Sequence, residues 1–286
     1  MNNSSPLLSQ RFEKSVLLHV IKNYNSDNRH IPLILGIHGP SGEGKTYQCN
    51  QVLKKHDIAT FFISGGQLES PDAGRPAQLI RRQYLLAGKS VRDSKNHPAA
   101  LIINDIDAGL GNWGEMVQTT VNTQNVYAEL MNLVDEPTKV ENMETPRIPI
   151  IITGNDFSKL YSPLVRAGRM TSFEWAPTFD ERVEILHSIF PEFSKHNLEF
   201  FLKNLLRRTN KKVHSYLSIA FYTQLRSTLY DEMLWDFVKD DAPQILTNLI
   251  KGKEIDFPGI EITLDQLIEK ATTLAEKGFF SNHLSK

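Results

Sequence analysis

Eight consecutive residues, Gly39-Pro40-Ser41-Gly42-Glu43-Gly44-Lys45-Thr46, constrain this chain more than any other stretch. They fit the spacing G-x-x-x-x-G-K-[ST] in full. An apolar run, Ile31–Ile37, ends just before them, and a helical pattern over Lys45–His56 follows. That order is what the chemistry requires. Glycines let backbone N–H groups converge on a phosphate without Cβ clashes, and the helix N-terminus adds its partial positive charge. The Lys45 ammonium is then expected to reach the β- and γ-phosphates of a nucleotide. The Thr46 hydroxyl is expected to take a place on Mg²⁺. A strand–loop–helix unit of this kind belongs in an α/β fold.

The rest of the first half agrees. Further apolar runs at Ile58–Ile63, Ala99–Ile103 and Ile148–Thr153 are continuous rather than alternating, the pattern of strands covered on both faces of a parallel sheet. A shorter strand is expected at Thr171–Trp175. Helical stretches at Ala77–Gly88 and Val121–Val134 lie between them, giving βαβ units. After Pro177 the pattern turns helical: Asp180–Phe190, Leu198–Arg208, Tyr216–Leu229 and Asp231–Val238. A last helix opens with a Thr263/Gln266 capping box. The expected organisation is an α/β domain over 1–176 and a smaller α-helical domain over 177–286.

Composition narrows the function classes. Lys+Arg total 32 against 33 Asp+Glu, a net charge of −1, so nothing draws the whole chain to nucleic acid or an anionic membrane. A lone cysteine, Cys49, excludes an internal disulfide or a cysteine-built zinc site and reads as a core residue. The nine histidines form no metal-binding array. With no signal-like N-terminus and no apolar run near the ~20 residues of a membrane helix, a cytoplasmic location without membrane contact is expected.

A second acidic element lies in Leu101-Ile-Ile-Asn104-Asp105-Ile106-Asp107. Asn and Asp suit an ordinary strand-to-loop turn. In a parallel sheet, however, strand carboxyl ends share the edge from which the phosphate loop projects, so these groups can approach phosphate and metal.

At this point the sequence resembles the AAA+ ATPases, and among them the Rubisco activase family. The matching stretches are LILGIHGPSGEGKT (33–46), SGGQLESPDAG (64–74), LIINDIDAG (101–109), TVNTQNVYAELMNLVDEPT (120–138), RIPIIITGNDFSKLYSPLVRAGRM (147–170) and FEWAPTFDER (173–182). Weaker matches are QLRSTLYDE (224–232) and TLDQLIEKATTLAE (263–276). The resemblance spans roughly residues 11–280. It implies a parallel-sheet nucleotide-binding domain with a helical lid, ATP and Mg²⁺ as cofactors, a homo-oligomeric ring (a hexamer by family habit), and Rubisco as client. The activity implied is release of inhibitory sugar phosphates by pulling on a large-subunit segment.

Roles carry over residue by residue. Asn104 stands where most relatives of the wider class have a metal-side aspartate, and Asp105 where they have the catalytic glutamate. Asp105 is thus expected to orient or deprotonate water beside the metal, with Asp107 as its acidic neighbour. Asn155, in a Gly-Asn-Asp stretch that would also make a good turn, resembles the polar sensor of the γ-phosphate. Arg166 and Arg169 resemble arginine fingers that enter the neighbouring subunit's site, although on sequence alone they read as a solvated basic turn. A guanidinium's planar fork suits a transferring phosphoryl group. Arg226 resembles the second sensor, reaching back from the helical domain.

Thr228 stands two positions after Arg226, where many family members have another arginine. The pattern is also broken at substrate-facing places: Gln67 replaces a glutamate, and Leu110, Asn112 and Thr119 interrupt the loop Gly109–Thr120. That loop carries Trp113, suited to gripping an unfolded tail or to folding back on its own subunit. No plant-type recognition domain or small-subunit-like appendage is expected, leaving a bare motor module of cyanobacterial type. Two alternatives differ in client: a remodeller of another protein, or a DNA-associated loader. Neutral charge and the absence of a helix-turn-helix or zinc motif disfavour the second. The basic cluster of Arg207, Arg208, Lys211 and Lys212 reads as a solvated turn.

Overall fold

The computed structural model of this chain describes residues 7–25, 30–69, 72, 74–94, 97–110, 121–208 and 216–276. Trp113, Asn112, Thr119 and Lys211-Lys212 lie outside the described residues, as do Ser70, Pro71 and Ala73 of the Ser64–Ala77 segment. Contacts divide the chain into two compact units, Leu8–Ala176 and a second that begins at Pro177.

The first unit opens with α1 (Gln10–Tyr24), capped by Ser9, whose side chain accepts from the Phe12 N–H. Phe12, Val16, His19, Val20 and Asn23 form its buried face at helical spacing. The sequence reading assigned no element here, because polar His19 and Asn23 interrupt the apolar stripe. Both are satisfied internally: His19 Nε2 lies 3.2 Å from the Ile150 carbonyl, and Asn23 Nδ2 donates to the His19 carbonyl at 3.0 Å.

Then follow β1 (Ile34–His38), α2 (Lys45–Lys55), β2 (Ala59–Ser64), α3 (Arg75–Asp93), β3 (Ala99–Asn104), α4 (Ile106–Leu110) and α5 (Val121–Asp135). A short hairpin of β4 (Lys139–Val140) and β5 (Met143–Glu144) turns through Glu141 and Asn142, both at positive φ (49° and 64°), the geometry of a two-residue primed turn. β6 (Ile150–Thr153), α6 (Ser162–Val165) and β7 (Met170–Glu174) complete the unit. The sheet runs β2-β3-β6-β1-β7, with every pairing parallel. Ile150, Ile151 and Ile152 of β6 are wholly buried. Each is worth ~1.5–3 kcal/mol by burial alone, so the sheet's centre is its most stable part.

β2 departs from the sequence expectation. Its apolar run suggests cover on both faces, yet it is an edge strand with Phe62 44% exposed. A continuous apolar run does not reveal which strand ends the sheet.

The second unit is helical: α7 (Phe179–Ile189), α8 (Lys195–Arg208), α9 (Ile219–Val238), α10 (Ala242–Ile250) and α11 (Leu264–Glu276). Capping boxes start α7 (Thr178 with Glu181) and α11, where the Thr263 N–H donates to Gln266 Oε1 and the Gln266 N–H to Thr263 Oγ1. Leu186, Phe190, Phe201, Phe221, Leu225 and Leu267 centre its core. α9 is one helix where the sequence suggests two, since nothing around Tyr230 breaks it. α10 was not anticipated, and it buries none of its residues within the described structure. No described helix is long and apolar enough to cross a membrane.

Candidate nucleotide site

Three neighbouring strands, β3, β6 and β1, end at one edge of the sheet, and each delivers one part of the site. The order of strands therefore brings together residues that the sequence separates by about fifty positions on either side.

After β1 the chain enters the loop Gly39–Gly44. Gly39, Gly42 and Gly44 all have positive φ (144°, 76° and 78°), and Gly44 caps α2 in the left-handed region. At the head of α2 the Lys45 ammonium donates to the carbonyls of Gly39 (2.8 Å) and Pro40 (2.9 Å) and to Asn155 Oδ1 (2.8 Å). The loop lysine and the β6 sensor candidate are thus directly joined. Burial pulls the Lys45 pKa below its ordinary value, while Asp105, Asp107 and Glu43 favour its charged form. Cys49, one turn further along α2, is buried, and burial alone pushes its thiol up to about 12, so it is a core residue.

The Thr46 hydroxyl donates to Asn104 Oδ1 at 2.5 Å, and the Thr153 hydroxyl donates to the same oxygen. Thr153 Oγ1 in turn accepts the Asp105 N–H at 3.1 Å, and Asn104 Nδ2 donates to Asp105 Oδ2 at 2.9 Å. Thr153 was missed as a site residue. Its signal is a fully buried hydroxyl closing an otherwise apolar strand.

Asp105 has φ 51°, a conformation that Asp tolerates better than most residues but that still costs of order 1 kcal/mol. Its carbonyl explains one neighbour: a Cβ on Gly65 would stand 2.2 Å from it. Burial raises the Asp105 pKa above the usual carboxylate range, Lys45 opposes that, and Asp107 adds to it.

Asp107 has a different job from the one its sequence position suggests. It is fully buried, and its Oδ2 accepts the N–H groups of Asn155 (2.8 Å) and Asp156 (2.9 Å). A Cβ on Gly154 would lie 2.7 Å from Asp107 Oδ1. Asp107 therefore positions the Asn155 turn, and Asp105 is the carboxylate turned to the Asn104–Thr46 corner.

The arginines lie elsewhere. Arg166 and Arg169 precede β7, and the Arg169 carbonyl accepts the N–H of Ile34 at the start of β1. They stand at the amino edge of the sheet, roughly a strand's length of 15–20 Å from the phosphate loop. Arg166 is exposed. The Arg169 guanidinium donates to the Pro163 carbonyl (3.1 Å), touches Met131 Sδ (3.2 Å) and pairs loosely with Asp135 (3.5 Å). Arg226 lies on α9 of the helical unit, paired with both oxygens of Glu192 (2.9 and 3.1 Å) and 5.6 Å from the centre of the Phe190 ring. Gln67 caps the turn after β2, accepting the Ser64 N–H at 2.9 Å.

The Thr46 hydroxyl, Asn104 amide oxygen and Asp105 carboxylate form an oxygen-only donor set with a single charge. That suits Mg²⁺, which takes few direct protein ligands and draws the rest from phosphate and water.

Comparison with known proteins agrees with this geometry. The family described as "ATPase family associated with various cellular activities (AAA)" matches residues 35–178. The chain is 42% identical over 277 residues to a ribulose bisphosphate carboxylase/oxygenase activase of Anabaena sp., covering 92% of this chain and 64% of the relative. It is 38% identical over 279 residues to the chloroplastic activase of Chlamydomonas reinhardtii, covering 94% and 66%. The chain thus spans just under two thirds of these relatives. In fold it is similar to the FIGL-1 AAA domain solved in complex with ADP, at TM-score 0.61 and 18% identity, covering 96% of this chain and 84% of that one.

Proposed function

Since the chain belongs to the AAA family of ATPases, we propose that it binds ATP with Mg²⁺ at the β1–β6–β3 edge, hydrolyses it, and uses the cycle to remodel Rubisco. The observation that carries the nucleotide part is the Lys45 ammonium, bonded at once to two phosphate-loop carbonyls and to Asn155. A γ-phosphate oxygen would exchange with these acceptors, so phosphate occupancy is read directly by Asn155. Thr46, Asn104 and Asp105 would hold Mg²⁺, which supplies charge neutralisation on the β- and γ-oxygens. The Asp105 carboxylate orients the attacking water and takes its proton. Burial raises its pKa, which makes it a stronger base. Asp107 fixes the Asn155 turn throughout.

Arg166 and Arg169 are fingers for a neighbouring subunit in this reading, because the sheet's own length keeps them from the site of their own chain. That calls for a closed homo-oligomer, which we take to be a hexameric ring. Arg226 responds to nucleotide from the helical unit, which we take as the lid domain, residues 177–286.

The activase relatives support Rubisco as the client. The test uses pure protein, ATP and cognate Rubisco inhibited by a tight sugar phosphate, with carboxylation and phosphate release both followed. Recovery of carboxylation with ATP but not with a non-hydrolysable analogue is expected. Robust phosphate release without recovery would transfer the motor to another client. No phosphate release at all would end the ATPase reading.

A further inference from the structure

Trp175 is the last but one residue of the α/β unit and is wholly buried. It grips the phosphate loop at both ends. Its main-chain N–H donates to the His38 carbonyl at 2.7 Å, just before the loop. Its indole N–H donates to the Glu43 carbonyl at 2.8 Å, just before the loop's end. A Cβ on Gly39 would stand 2.1 Å from the Trp175 carbonyl oxygen, so this glycine is required by Trp175 as well as by phosphate. The indole is itself fixed. Phe12 packs edge-on at 5.0 Å, and the Arg11 guanidinium lies 4.9 Å from the ring centre while donating to the carbonyls of Glu174 (3.3 Å) and Ala176 (3.0 Å).

We infer that Trp175 is a positioning residue for nucleotide binding: it staples the phosphate loop into the shape that receives phosphate. It also ties that shape to the chain segment leading into the helical unit at Pro177. The inference rests on the ATP reading above. Phosphate is gripped alike before and during hydrolysis, so the staple acts on affinity and leaves the chemical step alone.

The test is Trp175→Phe, which keeps an aromatic ring and removes the indole donor. The Glu43 carbonyl then loses a buried partner, and the dissociation constant for ATP with Mg²⁺, read by calorimetry, should rise roughly ten-fold. KM for ATP should rise in parallel, with kcat held within about two-fold. Leu130→Ala is the control. Leu130 is fully buried in a core cluster that includes neither Trp175 nor the phosphate loop, so its truncation should lower the melting temperature without moving KM. Unchanged affinity in Trp175→Phe, or an equal rise in Leu130→Ala, overturns the inference. If Trp175→Phe does not fold, Arg11→Ala carries the test, since it frees the indole from an exposed position. A two- to three-fold rise in the dissociation constant is then expected, and no rise overturns the staple. Failure of the wild-type chain to bind ATP would instead strike the ATP reading itself.

Discussion

The two edges of the central sheet are built on opposite principles. At the carboxyl edge the site's polar groups hold one another: Lys45 by Asn155, Thr46 and Thr153 by Asn104, Asn104 by Asp105, and the Asn155 turn by Asp107. At the amino edge Arg166 is exposed, and Arg169 is held by a carbonyl, a thioether and a long pairing with Asp135. One edge has a prepared receptor for phosphate built around Lys45. The other presents two arginines, one exposed and one paired only loosely with Asp135. The difference fits the proposal that Arg166 and Arg169 serve the site of a neighbouring subunit rather than their own.

The heaviest blow to that contrast is Lys45→Ala. It removes the ammonium of the phosphate loop, and ATP binding and hydrolysis should both fall below detection in calorimetry and phosphate-release assays. Retained hydrolysis would mean that the receptor lies elsewhere.

Next in size is the amino edge. Arg166→Ala should lower the hydrolysis rate by about 10³-fold while ATP still binds, as for a finger acting in trans. Arg169→Ala should also slow hydrolysis, and it should cost some stability because its guanidinium spans Pro163, Met131 and Asp135. Specific activity should rise with protein concentration. Mixing Arg166→Ala with Asp105→Asn subunits should restore part of it, since mixed rings contain interfaces with both residues intact. Full activity from a monomer, established by light scattering, would dissolve the comparison between edges.

A smaller effect tests Asp105 as the base. Its pKa is raised by burial above the model-peptide value of 3.8, and hydrolysis needs its ionised form. The kcat profile should therefore fall on the acid side, with a midpoint above that value. In Asp105→Asn the residual rate should lose that limb. An unchanged acid limb would assign the base to another group.

The carboxyl edge was the legible part of the sequence. Gly39–Thr46 announces its own geometry, and Asn104, Asp105 and Asn155 each follow an apolar strand, so topology alone carries them to one place. Thr153 was hidden because a threonine at a strand end looks like part of the strand. The role of Asp107 was hidden because its carboxylate serves backbone N–H groups forty-eight and forty-nine positions away, contacts that no local spacing encodes. In the sequence Trp175 reads only as a strand end within a matching stretch, since its partners His38 and Glu43 become neighbours only when β7 pairs with β1. The helical unit was most readable at α11, where the Thr263/Gln266 capping box marks its start. It was not readable at α10, whose apolar residues find no core within the described structure.

The mildest prediction separates the edges by pH. His19 sits on α1 against the start of β6, at the amino edge, with Nε2 on the Ile150 carbonyl. Burial lowers its pKa from 6.5 to about 4, helped by the positive charges of Arg147 and Lys22 and opposed by the backbone carbonyls of Ile150 and Leu33. The folded chain therefore keeps His19 neutral where the unfolded chain protonates it. Stability from this group is complete above the unfolded value of 6.5 and drains away as pH falls toward 4. Between about pH 7 and about pH 5 the loss should be about 2 kcal/mol. Urea melts at the two pH values measure it. His19→Gln, whose amide can still donate to the Ile150 carbonyl, should show a pH slope smaller by that amount. Its acid limb in kcat should stay where the wild type's lies, because Asp105 belongs to the opposite edge. An unaltered stability slope in His19→Gln would remove His19 as the acid-labile group, and a displaced kcat limb would show that the two edges are coupled.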